Sequence, residues 1–430
     1  MSSRLLRIAW PLLATTPVVL AGCSTSGTEA PAPRNLVFLC VDTLRADHLG
    51  AFGGPDDASP NIDRLAEESV LFERAVSHAS WTLPSFAAVL TSTYTSTNGC
   101  WTKEDRLKGS LDTLPELFQQ AGFDTYGVAS HVFFREAFGL QQGFDAFDDQ
   151  LTSIRGEPGW KPLSSPHVTE RALAFLESRA EDPDPFLLWL HYFDPHLPYV
   201  DHAGVGAGPE HEHARYRTEI TWTDRHVGRV LEALQDTGLA ANTAVVFLSD
   251  HGEAWEEHPG VRRHAKSLFT EELTVPLMLR VPGLPARRVR ESVRTIDLMP
   301  TLLELFGVPQ PEQSMEGASL LPALLGGTVE PHPLLAEIDL HPDQHHRRAL
   351  VHDGWKLIET RDGAFLLFDV ENDAAELEDL AAQEPARVQE LRRMLEGLEE
   401  RARALGALFG GDDPVELTQD ELDALQDLGY

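Results

Sequence analysis

Residues 35–43 read "NLVFLCVDT". The first seven form an uncharged, largely apolar run with β-branched members, which is how a strand buried on both faces reads; a half-exposed strand would alternate. The run stops at Asp42. "TAVVFLSDHGE" (243–253) repeats the pattern and stops at Asp250-His251, and "FLLWLHYF" (186–193) is a third run of the same kind. "DTYGVAS" (124–130) and "VPLMLRVP" (275–282) also read as strands.

Helical patterns lie between these runs. "SPNIDRLAEES" (59–69) has a capping serine and Pro in the first turn. Pro84 opens a helix that continues to about Leu90, "TLPELFQQAG" (113–122) closes on glycine, and residues 167–180, 213–237 and 295–307 carry helical spacing. Apolar strands alternating with helices predict an α/β fold: a mainly parallel sheet with helices on both faces. After about residue 330 the texture changes. "PLLAEI", "RALVHD", "WKLIET" and "AFLLFDV" are short strands, and helix-forming sequence follows from 384, so residues 330–430 read as a smaller α+β subdomain beside a main domain of 34–329.

The first 33 residues read as separate from the fold. Arg4 and Arg7 precede the apolar "IAWPLLATTPVVL", which is too short to span a membrane stably, and "LAGC" follows at 20–23. Small residues before a cysteine resemble a lipoprotein signal over 1–22, cleaved before Cys23, with lipid on its thiol. Residues 23–33 would then be a flexible tether, and the protein would be exported and lipid-anchored to the cell envelope. The formal net charge of −33, with only five lysines among 35 basic residues, argues against nucleic acid as a partner. The short basic runs "VRRHAK" and "ARRVR" read as solvated faces. Cys40 falls in an apolar strand and Cys100 in a loop; one disulfide between them would suit an oxidising compartment, but nothing resembles a disulfide framework.

In open α/β sheets, ligands bind beyond the carboxyl ends of the strands. A carboxylate there is solvated or bound, because burying it unpaired costs several kcal/mol. Asp42, Asp250 and His251, with a hydroxyl nearby, suit one divalent cation. Oxygen donors favour a hard ion such as Ca²⁺, and the imidazole shifts the preference toward Mn²⁺ or Zn²⁺. Strand-end Asp also caps turns, so position alone leaves both readings open. The hydroxyl in question is Thr82 in "SWTLPS" (80–85). With Pro84 close behind, it is either a helix cap or a nucleophile.

Further segments occur in a distinctive order: "VDTLRADHLGAFG" (41–53), "SPNIDRLAEESVLFERAVSHASWTLPSFAAVLTS" (59–92), "DPHLPY" (194–199), "SDHGE" (249–253), "HAKSLFTEELTVPLMLRVPG" (264–283), "TIDLMPTLLELFGVPQP" (295–311) and "WKLIETRDGAFLLFDVENDAAELEDL" (355–380). This ordered set resembles the sulfatase family of the alkaline phosphatase superfamily and covers nearly all of the chain after the tether. The resemblance implies a sulfate- or phosphate-ester site with one main metal ion. It carries Asp42, Asp250 and His251 over as metal ligands, and Thr82 as a nucleophile that also touches the metal. His196 would contact the ester or leaving group. His264 and Lys266 would bind anionic oxygens or protonate the leaving oxygen. Asp194, His196 and His264 would supply a second metal, if one binds.

The sequence departs from the sulfatase branch at informative places. That branch has Cys or Ser at the nucleophile and Arg two residues after the Pro, and its Cys becomes formylglycine. Here the positions hold Thr82 and Phe86. Threonine cannot follow that route, so no formylglycine is expected. Thr43, Ser92 and Asn98 also depart from the family pattern. These changes resemble threonine-nucleophile relatives that act on phosphodiesters and phosphonates.

A cation-activated threonine is a reasonable phosphoryl nucleophile. Its sulfo ester would lack the easy breakdown of a formylglycine hydrate, which favours phosphorus over sulfur. The expected activity is hydrolysis of an anionic ester (phosphodiester, phosphonate or sulfate) in a small, glycan- or lipid-derived substrate. The alternatives are a sulfatase that works without formylglycine and a non-catalytic surface lipoprotein that binds anionic glycans or lipids. His191 reads as a core histidine or a site residue. Arg45 and Asp47 would reach the site or pair with each other, Glu219 and Asp224 read as scaffold, and His345-His346 reads as exposed loop. Oligomeric state is left open.

Overall fold

Strand Asn35–Val41 (β1) lies inside an eight-stranded sheet, flanked by Phe186–Tyr192 (β5) and Thr243–Ser249 (β6), both parallel to it. The structure is a computed structural model. It describes residues 33–430 apart from 56, 152–163, 201, 203–204, 206–211, 314, 341–345, 412 and 429. The signal, Cys23 and nearly all of the tether therefore lie outside the described residues. Every residue of β1, β5 and β6 is buried, as their unbroken apolar runs require.

The sheet is completed by Val70–Val76 (β2), Asp124–Val128 (β3), Ala146–Asp148 (β4), Thr274–Arg280 (β9) and Arg287–Arg294 (β10). Its order is β10-β2-β9-β6-β1-β5-β3-β4. Only β9 runs antiparallel to its neighbours, β2 and β6. A two-stranded ribbon of Ala254–Trp255 (β7) and Arg262–Arg263 (β8) follows β6. One core cluster joins the strands to the helices Ser164–Arg179 and Glu212–Asp236 through Val37, Leu39, Leu188, Val168, Ile220 and Val227.

A second sheet, antiparallel throughout, comprises Leu334–Ile338 (β11), Arg347–His352 (β12), Trp355–Glu359 (β13) and Phe365–Asp369 (β14), in that order. The helix Pro385–Gly406 packs on it through Val388, Leu391 and Leu395. Ala88, Tyr94 and Ile296 of the main domain belong to the same apolar cluster as Leu335, Leu350 and Leu357. The small sheet thus shares a core with the larger one. Among the described residues no helix is long and apolar enough to cross a membrane.

Five strands, β2, β4, β7, β8 and β10, were not expected from the sequence. β2, "VLFERAV", breaks its apolar run with Glu73 and Arg74, which are half-buried. β10, "RRVRESVR", was read in part as a solvated basic run; it is an edge strand whose outward residues carry charge, which discourages pairing with another chain. Arg288 pairs with Glu73 at 2.7 Å across this edge. Cys40 and Cys100 are both buried and free, so the disulfide weighed above is not formed.

Candidate active site

The register of the sheet brings the first two carboxylates together. Val41 pairs with Ser249, so Asp42 and Asp250 are the next residues on adjacent parallel strands. Both are buried, as is His251. One donor atom from each of the three lies within 4.8 Å of the others. Thr43 N and His251 N donate to Asp250 Oδ1 at 3.2 and 2.9 Å, while Asp250 Oδ2 receives no hydrogen bond among the described residues. His251 Nδ1 lies 2.9 Å from the Gly252 carbonyl, so Nδ1 carries the proton and Nε2 presents a lone pair. That nitrogen is 3.4 Å from Asp250 Oδ2 and 3.8 Å from Asp42 Oδ1. Two carboxylates and an imidazole lone pair, buried at hydrogen-bond spacing, fit one divalent cation.

Local backbone fixes these groups. Thr43 has φ 54°, an uncommon value for a non-glycine residue, and its hydroxyl donates to Asp42 O at 2.8 Å. Gly252 has no substitute: a Cβ there would stand 2.0 Å from Glu271 O.

Thr82 begins the helix Thr82–Thr91, every residue of which is buried. The N-cap is Trp81, which makes no side-chain cap bond, so the Thr82 hydroxyl does not cap the helix. Its Oγ1 lies 3.4 Å from His251 Nε2. The preceding turn is tied down by Ser77 Oγ and Ser85 Oγ, each 3.0 Å from Ala79 O.

Histidines line the rest of the site. His264 sits between two residues with left-handed backbone, Arg263 (φ 70°) and Ala265 (φ 62°), and Ala265 N bonds Ser80 O beside the Thr82 turn. His264 Nδ1 is 3.4 Å from both oxygens of Glu253, and its Nε2 has no hydrogen-bond partner among the described residues. Its ring lies 4.9 Å from that of His251 and 4.7 Å from that of His196. His196 Nδ1 contacts Leu197 O at 2.7 Å, which turns Nε2 inward. His191 Nε2 is 3.3 Å from Asp42 Oδ2, so this strand histidine borders the carboxylate pair.

Burial sets the protonation of several groups. Burial holds His264 well below the usual imidazole range, with the neighbouring basic groups adding to the effect. It lowers His191 to about 4 and raises Glu253 to about 7. His264 and His191 are therefore neutral at pH 7.

Lys266 is placed differently. Its side chain is exposed and makes no hydrogen bond or ion pair among the described residues, although its charge reaches His264. Asp194 accepts from Ser164 N and Ser165 N at a helix start. Arg45 forms a two-point pair with Asp47, at 2.9 and 2.7 Å. Asp224 accepts from Asn61 N and Ile62 N, and Glu219 from Val200 N; both hold scaffold.

Three residues here were not assigned from sequence. Glu253 follows the "DHG" triplet and orients His264. His131, just after β3, is buried with Nε2 facing Tyr430 Oη at 3.0 Å. Tyr430 Oη also contacts Thr82 Oγ1 at 2.8 Å and His196 Nε2 at 3.1 Å. Only Glu253 had a local signal, its position beside Asp250-His251.

A family profile described as Sulfatase matches residues 34–308. The chain belongs to the sulfatase family. A second profile, described as N-sulphoglucosamine sulphohydrolase, C-terminal, matches 264–403. This sulfatase-family chain is 29% identical over 338 residues to the ulvan-active sulfatase of Formosa agariphila, covering 68% of the chain but only 65% of that relative's length. It is 28% identical over 381 residues to N-acetylgalactosamine-6-sulfatase of Canis lupus familiaris, covering 76% of the chain and 72% of the relative. In structure it resembles the phosphonate monoester hydrolase of Agrobacterium radiobacter, with TM-score 0.72, 19% identity and coverage of 86% and 96% of the two chains. A structure described as in complex with its substrate D-glucosamine-2-N,6-O-disulfate gives TM-score 0.71 at 20% identity, covering 86% and 98%. At these identities the structural likeness establishes the shared α/β fold with its C-terminal antiparallel sheet.

Proposed function

We propose that this sulfatase-family protein hydrolyses an anionic ester, with Thr82 as the nucleophile. The observation that carries the reading is the Thr82 hydroxyl 3.4 Å from His251 Nε2, beside Asp42 and Asp250 and not engaged as a cap. Asp42, Asp250, His251 and the Thr82 oxygen would hold the cation. When bound, the cation lowers the hydroxyl's pKa and neutralises charge on the ester.

The chain's own groups do the rest. Thr82 Oγ1 attacks phosphorus or sulfur, forming a bond to Oγ1 as the bond to the leaving oxygen breaks. His264 Nε2 is free to take the threonine proton, and Glu253 at Nδ1 steadies the resulting imidazolium. The proton then passes to the leaving oxygen, from His264 or from His196. Backbone N–H groups in the first turn after Thr82 favour the anion. Water finally cleaves the threonine ester, releasing a phosphate monoester, phosphonate or sulfate and restoring the hydroxyl. Exposed Lys266 attracts the anion electrostatically.

Phosphodiesters and phosphonates suit threonine, and the fold shared with a phosphonate monoester hydrolase supports that arm. Curated relatives with sulfatase names support the sulfate arm, which would proceed without formylglycine. Parallel assays of aryl phosphodiester, phosphonate and sulfate esters on the metal-loaded protein separate the two. Mass spectrometry of the peptide spanning 80–90 should show unmodified threonine. Loss of turnover in Thr82→Ala supports the assignment, and retained turnover refutes it; a non-catalytic binder would turn over none of the esters. The reading includes export with a lipid on Cys23, supported by "LAGC". Cys23→Ala should move the protein from the membrane to the soluble fraction.

A further inference from the structure

Tyr430 lies 348 positions from Thr82, yet among the described residues its phenol is the nearer of the two hydrogen-bond partners of the proposed nucleophile's hydroxyl. Tyr430 is 2% exposed. Its ring is stacked on His196 (5.7 Å between centroids, 20° between planes) and edge-on to Phe133 at 5.2 Å. Trp81 and His264 approach it at 6.0 and 5.2 Å. Oη is shared by Thr82 Oγ1, His131 Nε2 and His196 Nε2 at 2.8, 3.0 and 3.1 Å.

A reacting phosphorus or sulfur must come within about 3–3.5 Å of Thr82 Oγ1. Its oxygens would take the donors that face that volume. Tyr430 Oη already occupies this space and uses those donors, so an ester cannot be seated while the phenol is there. The segment is anchored away from the site as well: Val415 N bonds Glu104 O at 2.6 Å, the helix Gln419–Asp427 follows, Leu425 is fully buried, and Tyr430 N bonds Leu425 O at 3.0 Å.

We propose that segment 413–430 controls access by self-occupancy: the Tyr430 phenol stands where an ester oxygen binds, and substrate and segment compete for the site. This rests on the Thr82 reading in taking the occupied volume as the ester site. A tethered occupant competes at high effective concentration, so apparent ligand affinity falls by the fraction of molecules with the site open.

The test uses the full chain, metal-loaded, as wild type, Tyr430→Ala, Tyr430→Phe and Leu425→Asp. Inorganic phosphate binding is measured by calorimetry, and ester turnover in parallel. Tyr430→Ala and Leu425→Asp should bind phosphate at least about tenfold more tightly and show a lower KM. Tyr430→Phe, which keeps the ring but loses the hydrogen bonds, should gain less. In wild type, saturating phosphate should speed amide exchange across 413–430.

Phosphate affinity within about twofold of wild type in both Tyr430→Ala and Leu425→Asp overturns the proposal. So does a loss of kcat in Tyr430→Phe with phosphate affinity unchanged, which would make the phenol a working group of the reaction. If Leu425→Asp does not fold, Tyr430→Ala decides. Tighter phosphate binding without ester turnover in any form would refute the Thr82 reading and leave self-occupancy standing. Turnover by wild type with unaltered phosphate affinity in the variants would do the reverse.

Discussion

Two regions of this molecule gather side chains of the metal-binding type, and they resolve the charge in opposite ways. One is Asp42, Asp250 and His251 at the end of the main sheet; the other is Glu337, His346 and Glu399 beside the small sheet. In the second, Arg348 and Arg403 both pair with Glu399, and Ser96 N and Oγ donate to Glu337 at 2.9 and 2.6 Å. The Glu399 charge there is neutralised within the chain, and Glu337 is held by hydrogen bonds. At the main sheet, Asp250 has backbone N–H groups and His251 as partners but no Arg or Lys among the described residues. A buried carboxylate without a cationic side chain requires compensation from elsewhere, and the proposed cation would supply it. Residue type alone therefore does not distinguish the two regions; the surrounding charge does.

The largest expected effect tests the chemistry of the first region. Thr82→Ala should lower kcat by at least about a thousandfold, as loss of a nucleophile does elsewhere, while circular dichroism and thermal unfolding stay close to wild type. Metal content sharpens the contrast between the regions. Asp250→Asn should weaken divalent-ion binding by at least about tenfold in a metal titration. Glu399→Gln should leave metal affinity unaltered and cost about 1–2 kcal/mol of stability through its unpaired arginines. Equal loss of metal in the two variants would erase the distinction.

A third prediction concerns pH. Burial raises the Glu337 carboxyl from 4.5 to about 7. Below the unfolded value both states hold the proton. Between about 4.5 and 7 the unfolded chain ionises first, so this group's contribution to stability falls as pH rises and is fully lost above that window. Glu337→Gln cannot ionise. Its stability relative to wild type, from urea unfolding at pH 4 and pH 8, should increase with pH by roughly 1–3 kcal/mol. A constant difference would mean that the carboxyl titrates normally. The smallest effect belongs to exposed Lys266. Lys266→Ala should lower kcat/KM by about three- to tenfold at low salt, and the deficit should shrink as salt screens the field. A salt-independent loss would instead indicate direct contact with the ester.

Much of the fold was legible because strands buried on both faces cannot hide their composition. β1, β5 and β6 appear as unbroken apolar runs. β2 and β10 do not, because Glu73, Arg74, Arg287, Arg288 and Arg290 are half-buried or exposed at the edge side of the sheet. In the site, Asp42, Asp250 and His251 were marked by their place at strand ends. Thr82 read as either cap or nucleophile, and the structure places the cap at Trp81 instead. His131 carries no local mark; its role depends on β3 lying beside β5. His191 reads from its strand as core or site, and it borders Asp42 because Cys40 pairs with it on the adjacent strand.

By itself the sequence determined which segments are strands and helices, and where charge interrupts the buried runs, because those properties follow from local composition and period. The tertiary structure alone decided the strand order that sets Asp42 beside Asp250, and the convergence of His131, His264, Glu253 and Tyr430 around one hydroxyl. Those groups come from distant parts of the chain. Their meeting is fixed by long-range pairing and by the burial that each packed element gains, which no short stretch of residues records.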